Sequence, residues 1–274
     1  MAGAGTSLNE NLLRHERCIV LSGLAVITVL SWTYILAGAG TGMSVRAMTI
    51  TSLFPHRLTG TPLQHGEWTS AYWIIMLLMW WVMMIAMMTP SATPMILLYA
   101  RATRYAQGKG ESGRNVVPTA AFAGGYLLAW FGFSVLATVS QRRLEASGSI
   151  SAMWMASTNA GLSAAILIFA GAYQLSPWKH RCLNYCRAPA AFLARHNRPG
   201  RLGALRMGIE HGAFCVGCCW VLMTLLFVGG IMNVLWISVL ASIVLLEKLI
   251  PQGPWFARIM GIVLIAWGAA TLVL

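Results

Sequence analysis

Three cysteines and a histidine fall within nine positions of one apolar segment. His211, Cys215, Cys218 and Cys219 lie in the stretch HGAFCVGCCWVLM, residues 211–223. At about 100° per residue, a helix would place these four side chains within an arc of roughly 100°. One helix face would then present an imidazole and three thiols, a donor set that suits Zn(II), Cu(I) or an iron–sulfur centre.

Two further cysteines lie in the stretch HRCLNYC. Cys182 and Cys186 are four residues apart, so they share a face if this segment is helical. In the membrane orientation derived below, they lie at the cytoplasmic edge, where the 211–223 face also begins. The cytoplasm keeps thiols reduced, so structural disulfides explain this convergence poorly. Five thiols at one level favour a metal or redox site over cysteines that serve as small apolar fillers.

Six methionines lie on or beside one face of another predicted helix: Met76, Met79, Met83, Met87, Met84 and Met88. Thioethers are soft ligands that favour Cu(I). Methionine also fills irregular gaps between helices, so packing alone is an open alternative.

Pro90 follows these methionines and removes a backbone donor. This frees the carbonyl near Ala86 and predicts a kink or a helix end. Met87 and Met88 then lie beside irregular backbone, at roughly the depth of the cysteine face. We expect them to form a second wall of the same site, and a plain helix kink is the alternative.

The composition indicates which elements must position these side chains. The chain is 58% hydrophobic and 9% charged, whereas a soluble domain carries about a quarter charged residues. The predicted fold is all-α: a polytopic membrane helix bundle of about seven transmembrane helices, with residues 1–274 as a single integral membrane domain. The predicted spans are 19–39, 71–98, 117–139, 159–176, 208–229, 231–249 and 255–273.

The basic residues predict the orientation of the chain. With the N-terminus inside, all but four of the 19 Lys and Arg residues face the cytoplasm, which is a strong positive-inside signal. Residues 1–18 then form a cytoplasmic N-terminus, 40–70 an outer loop and 177–206 a basic cytoplasmic loop. Lys248 also falls on the cytoplasmic side.

Several function classes are excluded or disfavoured. The chain contains no aspartate, since its seven acidic residues are all glutamate, and this excludes an aspartyl-phosphate ATPase. The net charge of +12 does not indicate nucleic acid, because the basic residues lie in short loops between apolar runs. We expect no ionisable residue in the middle of any span, which disfavours a proton-driven transporter.

Four motifs together resemble a bacterial family of predicted metal-binding integral membrane proteins, catalogued as a domain of unknown function. They are WWVMMIAMMTPSATPMILLY, GAYQLSPWKHRCLNYCRAP, HGAFCVGCCWVLM and MNVLW. The resemblance runs from about residue 70 to the C-terminus and implies a helical membrane fold with a metal site. The positions it singles out are Met87, Met88, Pro90, Pro94, Pro177, Lys179, Cys182, Cys186, His211, Cys215, Cys218 and Cys219.

The leading hypothesis is a soft-metal-binding protein of the bacterial inner membrane that handles copper, with zinc as the alternative metal. It would exchange metal with a donor or acceptor protein. Its candidate ligands are Cys182, Cys186, Cys215, Cys218 and Cys219, with His211 and Met87 or Met88. A membrane thiol oxidoreductase and a structural or assembly subunit are the alternatives, and no residue pattern identifies an enzyme substrate or an oligomeric state.

Overall fold

The structure is a computed structural model, and it describes residues 3–40, 68–108, 118–196 and 198–273. The all-α prediction is confirmed, because helices account for nearly all of the described elements. The helices are α1 (Gly3–Leu36), α2 (Ser70–Gly108), α3 (Pro118–Ala146), α4 (Ala160–Leu175), α5 (Pro177–Arg187), α6 (Pro189–His196), α7 (Gly200–Thr224), α8 (Leu226–Gly229), α9 (Val234–Leu249) and α10 (Gly253–Val273).

A short hairpin marks one end of the bundle. Strands β1 (Ile150–Ser151) and β2 (Ala156–Ser157) pair antiparallel. At the same end, the indole N–H of Trp68 donates to the Glu145 carboxylate at 3.1 Å. We call this the hairpin end. Most of the predicted outer loop, 40–70, lies outside the described residues, as do residues 1 and 2.

Within the described residues, five segments are long and apolar enough to cross a membrane. They are Arg17–Leu36, Ser70–Thr103, Thr119–Ala146, Gly200–Gly229 and Gly253–Val273. Helices α4 and α5 add a sixth if they form one span, bent by 63°. Helix α9 has only 16 residues, below the roughly 20 of a typical span, so the count of seven stays a prediction.

Helix α2 does not end at Pro90. It continues through Pro90 and Pro94 as a single helix of 39 residues. Hydroxyl groups next to the prolines add hydrogen bonds: Ser91 Oγ donates to the Met88 carbonyl at 2.9 Å. Such side-chain donors allow a membrane helix to tolerate proline.

The segment 177–206, predicted as a basic cytoplasmic loop between spans, is largely helical. Helix α5 begins where the Ser176 side chain accepts a hydrogen bond from the Lys179 amide, with Pro177 in the first turn. Both features favour a helix start. The prediction that Cys182 and Cys186 share a helix is therefore confirmed.

Glycines allow helices α3 and α7 to pack closely. A Cβ atom on Gly125 would collide with the Leu205 carbonyl, and one on Gly208 would collide with the Phe122 carbonyl. Close backbone approach at small residues is the usual way in which membrane helices associate. This contact brings Tyr126 of α3 against the cysteine face of α7.

Candidate metal centre

The two cysteine segments meet in the interior of the bundle. Cys186 of α5 lies next to the Cys215 and Cys218 side chains of α7. Cys182, one turn earlier on α5, faces Gly217: a Cβ atom placed on Gly217 would lie 2.9 Å from the Cys182 sulfur. The structure therefore brings together all five cysteines that the sequence analysis grouped.

The α7 cysteines share one backbone acceptor. The Cys218 thiol donates to the Cys215 carbonyl at 3.1 Å, and the Cys219 thiol donates to the same oxygen at 2.9 Å. All three are buried, and every cysteine in the described part of the chain is free of disulfide bonds. We call Cys186, Cys215, Cys218 and Cys219 the sulfur cluster.

Helix α2 supplies the opposite wall of the cluster. The Met88 sulfur lies 4.0 Å from the Cys219 sulfur. The Tyr126 hydroxyl lies 3.1 Å from the Cys215 sulfur and donates to the Met88 carbonyl at 3.3 Å. Met87 is also buried, but it is Met88 that reaches the thiols.

A lysine that the sequence analysis did not include among the site residues completes the cluster. The Lys248 ammonium lies 2.9 Å from the Cys215 sulfur and 3.0 Å from Ser91 Oγ. Its residue is only 8% exposed, although its position at the end of an apolar run suggested a residue at the cytoplasmic surface.

A second buried network joins helices α4, α5 and α9. The Lys179 ammonium lies 2.6 Å from Glu247 Oε2, and it also donates to the Gln174 side-chain oxygen. Gln174 Nε2 donates to Glu247 Oε1 at 2.8 Å. Lys179 is 0% exposed and Glu247 is 1% exposed; both lie near helix ends, and the sequence analysis did not predict their burial. The network ties α5, which carries Cys182 and Cys186, to the helix that carries Lys248.

His211 occupies an aromatic pocket next to the cluster. It lies one turn before Cys215, and its ring centroid lies 5.3 Å from that of Phe192, 5.9 Å from Tyr126 and 6.1 Å from Phe122. Its Nδ1 atom is buried, with no hydrogen-bond partner among the described residues. The structure thus places His211 on the predicted face, packed among rings.

The described residues contain no group of three or more His, Cys, Asp or Glu side chains already arranged to hold a metal ion. The Cys218 and Cys219 thiols instead point at the Cys215 carbonyl. The donors within reach are thiols and one thioether, which fit a soft monovalent ion such as Cu(I) and do not fit Mg²⁺ or Ca²⁺.

Comparison with known families decides the class of protein. Residues 77–271 match the model of the family PpoB2, described as a copper chaperone. The chain belongs to this copper chaperone family. No curated protein and no solved structure matches the chain. The matched region contains the sulfur cluster, Met88, Lys248 and the Lys179–Glu247 pair. Membership therefore supports copper handling and metal-handling partners in general.

Proposed function

We propose that this copper chaperone is a multi-pass membrane protein that holds Cu(I) at the sulfur cluster beside Met88 and passes it to an acceptor protein. The observation that carries the proposal is the meeting of α5 and α7 sulfurs inside the bundle, next to a thioether from α2. Copper is the cargo of this site.

The chemistry of the donors supports copper in the monovalent state. Thiolates and thioethers are soft ligands that select Cu(I) over harder divalent ions. Burial keeps water out of the cluster. The thiol hydrogen bonds to the Cys215 carbonyl are weak, since S–H is a weak donor, so a small rotation of each thiol frees it for the metal.

Lys248 also supports the binding of Cu(I) at the sulfur cluster. The metal-binding form of cysteine is the thiolate, and a neighbouring lysine is one of the arrangements that stabilises it. The Lys248 ammonium lies 2.9 Å from the Cys215 sulfur. A buried charge requires a partner, and these two groups provide it for each other.

The cysteines become more exposed from α7 to α5, which supports an exit route for copper on the α5 side. Cys215, Cys218 and Cys219 are buried, whereas Cys186 and Cys182 of α5 are only partly covered. Copper held by the cluster would leave from Cys186, its most exposed member, by exchange onto Cys182. The acceptor protein would take it from Cys182, next to the exposed Arg181.

The distribution of apolar and basic residues supports the location in a membrane. Five described segments are long and apolar enough to span it. Trp178, close to the bend between α4 and α5, is 71% exposed, and Trp255, at the start of α10, is 65% exposed. Exposed tryptophans at such positions act as anchors at the membrane interface. We place the N-terminus in the cytoplasm and the protein in the bacterial inner membrane, with the sulfur cluster towards the cytoplasmic side.

Metal analysis of the purified protein tests the proposal. We expect the wild type, loaded anaerobically with Cu(I), to retain copper after desalting. The variant in which all four cluster cysteines are replaced by serine should retain less copper per chain than the wild type. Cys18→Ser is the matched control, because Cys18 is exposed on α1, and it should retain copper. Thermal unfolding of each variant reports whether the fold is intact.

A second measurement does not depend on mutated cysteines. In the wild type, bound Cu(I) should slow alkylation of the cluster thiols. A wild type that retains no Cu(I) would contradict the proposal, and retention of Zn(II) alone would reassign the cargo. Alkylation that depends on oxidation and not on metal would favour a thiol oxidoreductase.

A further inference from the structure

Helix α2 separates two kinds of apolar side chain. Between residues 74 and 88, its Met side chains are all buried: Met76, Met79, Met83, Met84, Met87 and Met88. Ile74 and Leu78 are 59% and 42% exposed, and Leu77 is partly exposed. The helix therefore turns its thioethers inward and these three aliphatic side chains outward, whereas Ile85 is buried with the methionines at 8% exposure.

Packing alone does not explain this separation. Leucine and isoleucine fill a core in well-defined rotamers, whereas methionine specifies packing poorly because it has three rotatable bonds. A helix that needed only a well-packed inner face would place its Leu and Ile residues there. The property that the buried face gains from methionine is a set of soft sulfur donors.

The buried methionines recur at helical spacing along α2. Met76, Met79, Met83 and Met87, which we call the thioether stripe, follow one another at about one helical turn of 5.4 Å. From Met76 to Met88 the helix rises about 18 Å, at 1.5 Å per residue. The stripe thus spans most of the distance between the hairpin end and the sulfur cluster.

Polar contacts mark both ends of this series of methionines. At the cluster end, the Met88 sulfur lies 4.0 Å from the Cys219 sulfur. At the hairpin end, Gln141 Nε2 lies 3.7 Å from the Met76 sulfur and donates to the Glu145 carboxylate at 2.8 Å. The Glu145 carboxylate, which also accepts from Trp68, therefore lies one side chain away from the first thioether.

We propose that Met76, Met79 and Met83 form a second soft-metal site, made of thioethers only, which passes Cu(I) between the Glu145 end and the sulfur cluster. Each step exchanges one neutral thioether ligand for the next, so copper stays monovalent and no proton or electron moves. The transfer to the cluster rests on the function proposed above. The binding of a soft ion by the stripe does not rest on it.

The test uses Ag(I), a soft monovalent ion that is not readily oxidised or reduced, and a full-length variant in which every cysteine is replaced by serine. The methionine methyl groups are labelled with ¹³C and observed by NMR in detergent micelles. We expect a single bound Ag(I) per chain, with shifts at the methyls of Met76, Met79 and Met83. The methyl of Met153, which is 46% exposed, should not shift.

Two double variants, made in the same cysteine-free protein, give the matched comparison. Met76→Leu with Met83→Leu removes two sulfurs at nearly constant volume, and it should weaken Ag(I) binding by about tenfold or more. Met95→Leu with Met207→Leu changes two other buried methionines and should leave binding unchanged.

Unshifted stripe methyls, or equal weakening in both double variants, would overturn the inference. If the cysteine-free protein does not fold, the wild type is titrated instead, and the stripe methyls should shift after the thiols are filled. If the proposed function of the sulfur cluster is wrong, Cu(I) will not protect the cluster thiols from alkylation. The stripe methyls can still shift in that case, so the two proposals fail separately.

Discussion

The buried pair of Lys179 and Glu247 predicts a specific loss of stability. Replacing Lys179 by methionine removes the ammonium and leaves the Glu247 carboxylate, which is 1% exposed, with the Gln174 amide as its remaining hydrogen-bond donor in this network. Removing one partner of a buried ion pair costs about 3–5 kcal/mol, because the other charge stays buried without compensation. The free energy of unfolding should fall by about that amount.

Removing both charges should restore most of the loss. In the double variant Lys179→Met with Glu247→Gln, the new amide oxygen can still accept from Gln174, and no charge is buried. Replacing a whole buried pair by neutral side chains is often nearly neutral. The double variant should therefore be clearly more stable than Lys179→Met alone, which is the coupling that a double-mutant cycle measures.

Denaturant unfolding in mixed micelles, followed by tryptophan fluorescence, provides the assay. Arg181→Met is the control, because Arg181 lies on the same helix but is exposed, and it should change stability by less than about 0.5 kcal/mol. Lys179→Met should also speed alkylation of Cys182 and Cys186, since α5 loses its tie to α9. A single variant as stable as wild type, or a double variant no better than the single one, would refute the reasoning.

Two further substitutions probe the cluster itself. Gly217→Ala should slow copper transfer to an external Cu(I) chelator without changing the amount bound, because the added Cβ would lie 2.9 Å from the Cys182 sulfur and push it aside. Gly132→Ala is the control: a Cβ at this position would have no atom within 4 Å, so this variant should transfer copper at the wild-type rate. Tyr126→Phe should lower the free energy of unfolding by about 1 kcal/mol, since the Tyr126 hydroxyl bonds to Cys215 and to a backbone carbonyl. Chemical denaturation of the metal-free protein measures this change, and an unchanged denaturation midpoint would contradict a stabilising role of these two hydrogen bonds.

Local periodicity was enough to predict the cysteine face of α7. A helix repeat alone places Cys215, Cys218 and Cys219 together, and all three are buried as expected. The same argument paired Cys182 with Cys186 on one helix. The meeting of these two segments followed from their common depth in the predicted membrane.

Contacts between helices that are far apart in the sequence could not be predicted from local periodicity. Lys179 and Lys248 lie at the ends of apolar runs. A basic residue at such a position normally indicates the orientation of the chain in the membrane. Nothing local distinguishes a lysine at the surface from one that turns inward to a thiol or to Glu247. Tyr126 was missed for a related reason, because its role depends on the close approach of α3 to α7 at their glycines.

The effect of Pro90 was predicted only in part. Proline lacks the amide that would bond to the Ala86 carbonyl, so a helix end was one of two expected outcomes. The helix instead continues, because neighbouring hydroxyl groups and the packed interior supply support that the sequence window does not show. Met88 therefore lies in regular helix with its sulfur towards Cys219.

X-ray absorption spectroscopy at the copper edge tests the central claim most directly. For wild-type protein loaded with Cu(I), we predict a first coordination shell made only of sulfur. In a background that carries Met76→Leu and Met83→Leu, replacing the four cluster cysteines by serine should abolish that shell, and Cys18→Ser should preserve it. A shell dominated by nitrogen or oxygen, or a sulfur shell that survives loss of the four cysteines in that background, would contradict the account of a copper chaperone that carries its cargo at this cluster.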